Sequence, residues 1–427
     1  MKKVLIIAYY WPPAGGPGVQ RWLLFVKYLR DFGIEPVVYV PQNPNYPFVD
    51  TSLEKEIPKG VTVLKQPIKE PYRFARLFSS QKTTQISKGI IPTKKQSFTE
   101  KILLWLRGNF FIPDARIAWV KPSVTFLKEY LQKEKIHTVI TTGPPHSLHL
   151  IGLRLKYHLN DFRWLADFRD PWTTIGYHKK LKLTKAAAQK HQKLETNVLQ
   201  TADNILVTSP TTREEFRKKT NRPLSVITNG FDSDVSTEDS LDKKFTLSHI
   251  GSLLSDRNPE ILWSVLSELV TTNSSFANDF RLQLVGVVSD AVLQSLSAYA
   301  LDNHVENKGY VNHTEVVTIQ RRSQVLLLIE IDSAETRAII PGKLFEYMAA
   351  KRPIVAIGPK ESDVDSVLQD TQSGVFFDYT QHEALKKTIL DFYNRYRGDS
   401  LVSNAKNIEH YHRKQLTEKL ADIIHQN

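Results

Sequence analysis

Two doubly wound α/β domains, each built on a parallel sheet, are what the sequence predicts, and three observations predict them. A strand, a glycine-rich turn and a helix open the chain at residues 4–9, 10–18 and 19–29, and a second strand follows at 36–40. The same alternation restarts at residue 245, where strand after strand closes on a glycine: Gly251, Gly286, Gly309. Between the two runs, residues 233–244 (SDVSTEDSLDKK) are polar and lack apolar periodicity, as a linker does. At 427 residues the chain is long for a single core.

In the first domain, the apolar run at 4–9 is interrupted by Trp11, Pro12 and Pro13, so it reads as a buried strand and not as a signal peptide. No run approaches the roughly 18 apolar residues of a membrane span. The glycine loop lacks GxGxxG spacing. Gly16 either turns the chain or turns backbone N–H groups towards a ligand. Val19, Leu23, Val26 and Leu29 then mark an amphipathic helix. Residues 73–108 hold eight basic residues against a single acid, Glu100, interleaved with Ile90, Ile91, Phe98, Ile102 and Trp105. Such a segment suits an anionic bilayer surface or is a solvated insertion. No nucleic-acid-binding module surrounds it. A helix at 122–133 leads to a strand at 138–142 that ends in Gly143-Pro144-Pro145-His146. After a helix at 147–157, the strand at 163–168 ends in Arg169-Asp170-Pro171-Trp172. Ligands bind at the carboxyl ends of parallel strands, so His146, Arg169 and Asp170 are cleft candidates; turn formers and caps are the alternative. Thr184 is the expected N-cap of a helix at 184–199, and Ser209 or Pro210 starts another after the strand at 204–208. The strand at 224–228 ends in a tight NGFD turn.

The second domain begins with the strand 245–250, followed by a helix at 259–271 and strands at 282–285, 305–309 and 325–330. Then comes AIIPGKLFEYMAAKRPIVAIG, residues 338–358. Pro341 and Gly342 enter a short helix. Lys343 and Glu346, three apart, share one of its faces, and Leu344, Phe345 and Met348 bury on the other. Pro353 stops the helix before a core strand at 354–357. A helix start beside a lysine and a glutamate fits a ligand that carries phosphates and hydroxyls, unless the two residues merely form a surface ion pair. The tail from 382 to 427 reads as helical, with Phe392, Tyr393, Tyr396 and Tyr411 expected to pack back across the first domain. The expected division is therefore 1–235 with a basic insertion at 50–110, a linker at 236–244, a second domain at 245–405, and a C-terminal helix at 406–427 returning to the first domain.

The formal charge of +12 favours anionic partners in general. The absence of cysteine excludes disulfides, thiolate metal sites and cysteine nucleophiles, and fits a reducing cytosol. No clustered histidine or carboxylate ligand set is visible, so no metal is expected.

The motifs ADNILVTS, SVITNGFD, HIGSLLSDRNPEIL, LQLVG, VENKGYV and PGKLFEYMAAKRPIVAIG occur in this order. Together they resemble glycosyltransferase family 4, the retaining group 1 glycosyl transferases. AYYWPPAGGPGVQR and WLADFRDPW are similar to that family's first domain, so the resemblance covers nearly the whole chain outside 50–110. It implies the GT-B fold, two Rossmann-like domains facing across a cleft. It also implies metal-independent, retaining transfer of a sugar from a nucleotide diphosphate to an acceptor hydroxyl, in cell-surface polysaccharide or glycolipid synthesis. No cofactor is implied beyond the co-substrate, a UDP-sugar. The implied partners are that nucleotide sugar, a glycan or lipid-linked acceptor and an anionic membrane surface, with a cytoplasmic location at the inner face of the membrane. By the same resemblance, Glu346 meets the ribose hydroxyls. Gly16, Gly251, Arg257, Gly342 and Lys343 belong to the donor site, and Asp170 and His146 orient donor sugar or acceptor. The chain departs from the family where an arginine often follows the strand-end glycine (here Ser252), where a lysine often stands five further on (Arg257), and where a glutamate often precedes Glu346 by eight (Ala338, with Glu335 out of register). A leaving diphosphate gathers negative charge, which Arg257, Lys343 and helix-start N–H groups would stabilise. That phosphate could itself take the acceptor's proton. A nucleotide-sugar epimerase and a non-catalytic membrane-associated scaffold are the alternatives on the same fold.

Overall fold

The first strand, Lys2–Ile7, is apolar without alternation because both of its faces are covered. Val4 and Ile6 enter one core while Leu5 and Ile7 enter another. The computed structural model describes residues 1–70, 98–179, 181–232 and 240–426. The chain forms two compact units, residues 1–228 with 413–427, and residues 229–412.

The first unit holds seven strands: β1 (Lys2–Ile7), β2 (Ile34–Pro41), β3 (Thr62–Gln66), β4 (Thr138–Gly143), β5 (Arg163–Phe168), β6 (Asn204–Val207) and β7 (Leu224–Val226). They lie parallel in the order β3-β2-β1-β4-β5-β6-β7, with Leu5 level with both Val37 and Val139. The chain therefore travels outward from β1 in one direction and from β4 in the other, which makes the β1/β4 boundary the switch point where such sheets bind ligands. Gly16, at φ 96°, leads into the helix Pro17–Leu29 with Pro17 in its first turn. Thr184 and Ser209 cap their helices as predicted, accepting from the N–H groups of Ala187 and Thr212. The final helix, Arg413–His425, buries Leu416, Leu420 and Ile424 in the core that holds Trp22 and Phe25. Its last carbonyls accept from two strand-start cations, Lys2 Nζ to Ile424 O at 2.6 Å and Arg163 Nη1 to Ile423 O at 2.5 Å.

The second unit holds β8 (Phe245–Ile250), β9 (Phe280–Val285), β10 (Val305–Gly309), β11 (Val325–Ile329), β12 (Ile354–Gly358) and β13 (Gly374–Asp378). Their parallel order is β10-β9-β8-β11-β12-β13, with the switch point between β8 and β11. Leu327 and Ile329 face one core and Leu326 and Leu328 the other, the same two-sided burial as in β1.

Three expectations are corrected. The helix expected at 122–133 starts earlier and runs Ile117–Glu134, with Pro122 inside it; a proline in the second turn removes only one backbone donor. The tail is not one helix. His382–Arg397 ends at Gly398, and an irregular segment with Asp399 and Asn407 at positive φ precedes the last helix. Nor do the tail aromatics lie across the first domain. Phe392, Tyr393 and Tyr396 pack in the core of the second unit, and Tyr411 lies 5.4 Å from Phe345. Residues 73–97 of the basic segment and 236–239 of the linker fall outside the described residues. Residues beyond 97 form the helix Phe98–Phe110. No helix among the described residues is long and apolar enough to cross a membrane.

Candidate functional site

In the second unit the strand ends flanking the switch point converge on one lysine. β8 passes into Gly251 at φ 122°, a conformation that side chains rarely adopt. Its N–H donates to Val285 O at 2.8 Å. Gly286, at φ 114°, lies so close that a Cβ there would stand 2.9 Å from the Gly251 carbonyl carbon. The bare backbone at Gly251 leaves room for Lys343, since a Cβ added there would stand 3.4 Å from Nζ. Lys343 lies in the first turn of the helix Gly342–Ala349, which enters through Pro341 without a side-chain cap. Open space surrounds the position a Cβ would take on Gly342. Tyr347, fully buried on the inner face, accepts from the Ile250 N–H at 3.0 Å and so fixes the helix to the end of β8.

Charge is concentrated here without being neutralised. Burial lowers the Lys343 ammonium to about 8, with Glu330 pulling it up and Arg257 pushing it down. Arg257 follows β8 in a short 3-10 turn, and its Nε is buried with no partner. Glu330, directly after β11, is 3% exposed, and its Oε1 has no hydrogen-bond partner. Burial raises its carboxyl above the usual range, against the pull of Lys343 and Arg257. His249 on β8 is held neutral by burial and by nearby Lys343. Its Nδ1 lies 3.1 Å from the Leu327 carbonyl, the geometry of a donating N–H. One turn on from Lys343, Glu346 accepts from Gln320 Nε2 at 3.1 Å. Two cations, a bare glycine and a helix start around a half-sequestered carboxyl suit an anionic ligand. A cavity of about 750 Å3 lined by Asp242, Gln324, Arg352 and Tyr396 lies instead at the amino ends of the strands, the end opposite the switch point.

In the first unit, the carboxyl ends of β4 and β5 carry a second polar cluster. Asp167 and Arg21 form a fully buried pair at 2.9 Å. Trp22 Nε1 and Thr142 Oγ1 each donate to Asp167 at 2.8 Å. Burial opposes ionisation of Asp167, but Arg21 and these donors outweigh it and hold the carboxyl below its usual range. Arg169 donates to the Pro144 carbonyl and lies over the Tyr10 ring. Gly18 must be glycine, because a Cβ would collide with Arg169 Nη1. Asp170 is half-buried, and burial raises its carboxyl against the pull of Arg169. His146 is 4% exposed, stacked on Trp172 with centroids 5.0 Å apart, and burial keeps it neutral. Thus Gly251, Arg257, Gly342, Lys343 and Glu346 share the second unit, whereas Gly16, His146 and Asp170 belong to the first. Ala338 is half-buried in the loop before the Lys343 helix, and Ser252 and Glu335 are exposed. Sequence reasoning passed over Glu330 and the Arg21–Asp167 pair. Among the described residues no cluster of three or more His, Cys, Asp or Glu could hold a metal ion.

Residues 244–395, which include the Lys343 cluster, match a family model described as Glycosyl transferases group 1. No curated protein matches the sequence. Solved structures are similar over nearly its full length. A glycosyltransferase from Rickettsia africae is 13% identical with a TM-score of 0.63, covering 99% of this chain and 97% of that one.

The fold is GT-B.

Two other structures that share the GT-B likeness bear on what the site takes. Anabaena HepE, solved in complex with UDP-glucose, is 14% identical with a TM-score of 0.60, covering 99% of each chain. A putative UDP-N-acetylglucosamine 2-epimerase from Listeria monocytogenes is 13% identical with a TM-score of 0.53, covering 99% of this chain and 96% of that one.

Proposed function

We propose that this chain is a glycosyltransferase of family 4 that moves a sugar, a hexose or a related one, from a UDP-sugar to an acceptor hydroxyl. The transfer retains configuration, needs no metal, and serves the synthesis of a cell-surface polysaccharide or glycolipid on a glycan or lipid-linked acceptor. The observation that carries this reading is the unpaired Lys343 ammonium beside Gly251 with Arg257 at the switch point, inside the span that matches the group 1 model. As the sugar–phosphate bond breaks, the leaving diphosphate gains charge. Lys343, Arg257 and the N–H groups at the start of Gly342–Ala349 stabilise it more in the transition state than in the ground state. Two protein cations do the work a bound divalent ion would otherwise do. Glu330 keeps Lys343 protonated near neutral pH. Glu346, steadied by Gln320, meets the ribose hydroxyls. Asp170 and His146 orient the sugar or acceptor, and the leaving phosphate takes the acceptor's proton.

Calorimetry with UDP is the first test. Binding that weakens at least about tenfold in Lys343→Ala and in Arg257→Ala supports the site. Unchanged affinity in both would overturn it. Transfer from labelled UDP-sugars, in the presence and absence of a chelator, then tests metal independence. Proton NMR of the product reads the anomeric configuration. The likeness to the Listeria 2-epimerase supports a second reading, rearrangement of the sugar without an acceptor. An epimerised nucleotide sugar formed in the absence of any acceptor would favour it.

A further inference from the structure

The helix Phe98–Phe110 carries apolar groups on two faces. Inward, Leu104 is 4% exposed, and Gly108 sits close enough that a Cβ would lie 2.9 Å from Leu181. Outward, Ile102, Trp105, Leu106 and Phe110 are 43%, 39%, 38% and 68% exposed. Their spacing of three and four puts them on one stripe, where a solvated helix carries polar residues. Trp105 and Phe110 meet edge to face with centroids 5.7 Å apart, so the stripe is a preformed surface.

Lysines flank it. Asn109 Nδ2 donates to the Lys182 carbonyl at 3.4 Å, and its Oδ1 accepts from the Thr184 N–H at 2.8 Å. These bonds fasten the end of the helix along residues 182–184. From 171 to 194 the chain holds six lysines and no acid. Lys182, Lys185, Lys190 and Lys193 are exposed. The next acid, Glu195, is turned inward and paired with Lys219 at 2.9 Å. We infer that this face docks on an anionic lipid bilayer, with Ile102, Trp105, Leu106 and Phe110 entering the headgroup region and the lysines contacting the lipid charges. An amphipathic stripe with a tryptophan and a one-signed lysine margin is what such a surface recognises. A second copy of the chain would set lysine against lysine, and a nucleic acid has no use for the apolar stripe.

Vesicle co-sedimentation of the full chain, without any donor, tests this independently of the transfer reaction. The chain should bind phosphatidylcholine vesicles containing phosphatidylglycerol and leave pure phosphatidylcholine vesicles in the supernatant. Trp105→Ser combined with Phe110→Ser should weaken that binding roughly tenfold or more, as should Lys182→Glu with Lys185→Glu, and added salt should weaken the wild type. All four side chains are exposed, so the thermal midpoints should stay put. Equal binding to both vesicle types, or unchanged binding of the Trp105/Phe110 variant, overturns the inference. So does a wild-type dimer in light scattering that this variant dissolves, which would assign the stripe to a second copy.

Discussion

At the scale of single residues, Lys343 is the group whose chemistry can be read out most directly. Burial brings its ammonium to about 8, so it carries charge at neutral pH and loses it just above. UDP affinity is therefore expected to fall as pH rises through about 8, by up to about tenfold per unit, and Lys343→Met should flatten the profile; calorimetry across that range checks both. Glu330 raises this value, so Glu330→Gln should move the midpoint of the profile downward. Stability has the opposite slope. The folded pKa lies below the unfolded 10.5, so the unfolded chain binds more protons between about 8 and 10.5, and this lysine makes folding more favourable as pH rises through that window. Asp167 behaves as a depressed carboxylate. Its contribution is present above the unfolded value and lost as acid protonates it. Asp167→Asn leaves Arg21 buried without its counter-charge and should cost about 3–5 kcal/mol in urea unfolding at neutral pH. Lys343 was legible because its place in PGKLFEY announces a helix start. Glu330 was not, since an acid closing an apolar strand looks like the first residue of a solvated turn. Asp167 lay hidden inside WLADF, where only its partner Arg21, 146 residues away, explains an acid in a core strand.

At the scale of elements, legibility followed burial. β1, β8, β11 and β12 are covered on both faces and betray themselves as unbroken apolar runs. β3 and β13 are edge strands, half-covered and mixed in sequence, and they left no such trace. The break in the tail did leave one, since Gly398 and Asp399 are turn residues, but the aromatic spacing on either side masked it. Tyr347 illustrates what a helical pattern leaves open. The spacing that marks Leu344, Phe345 and Met348 as inward says nothing of a hydroxyl reaching the last N–H of β8. Tyr347→Phe removes that acceptor. It should cost about 1–3 kcal/mol in thermal or urea unfolding and loosen the Lys343 helix against β8, which would appear as faster amide exchange at Ile250.

At the scale of the whole molecule, the two runs of strand–helix alternation gave the two sheets, and the order of motifs gave their kind. Amphipathic spacing marks a face for burial without naming what buries it, so the tail aromatics could not be assigned from sequence. The last helix, Arg413–His425, completes a core begun at residue 4, whereas residues 229–412 form their unit from one unbroken stretch. During synthesis the first unit therefore starts earliest and closes last. Trp22 and Phe25 wait for Leu416 and Leu420 until all of the intervening unit has emerged, leaving nascent apolar surface for a chaperone to hold. A chain ended at His412 should stay in that waiting state, binding a hydrophobic dye and yielding to protease within residues 1–228, while 229–412 resists.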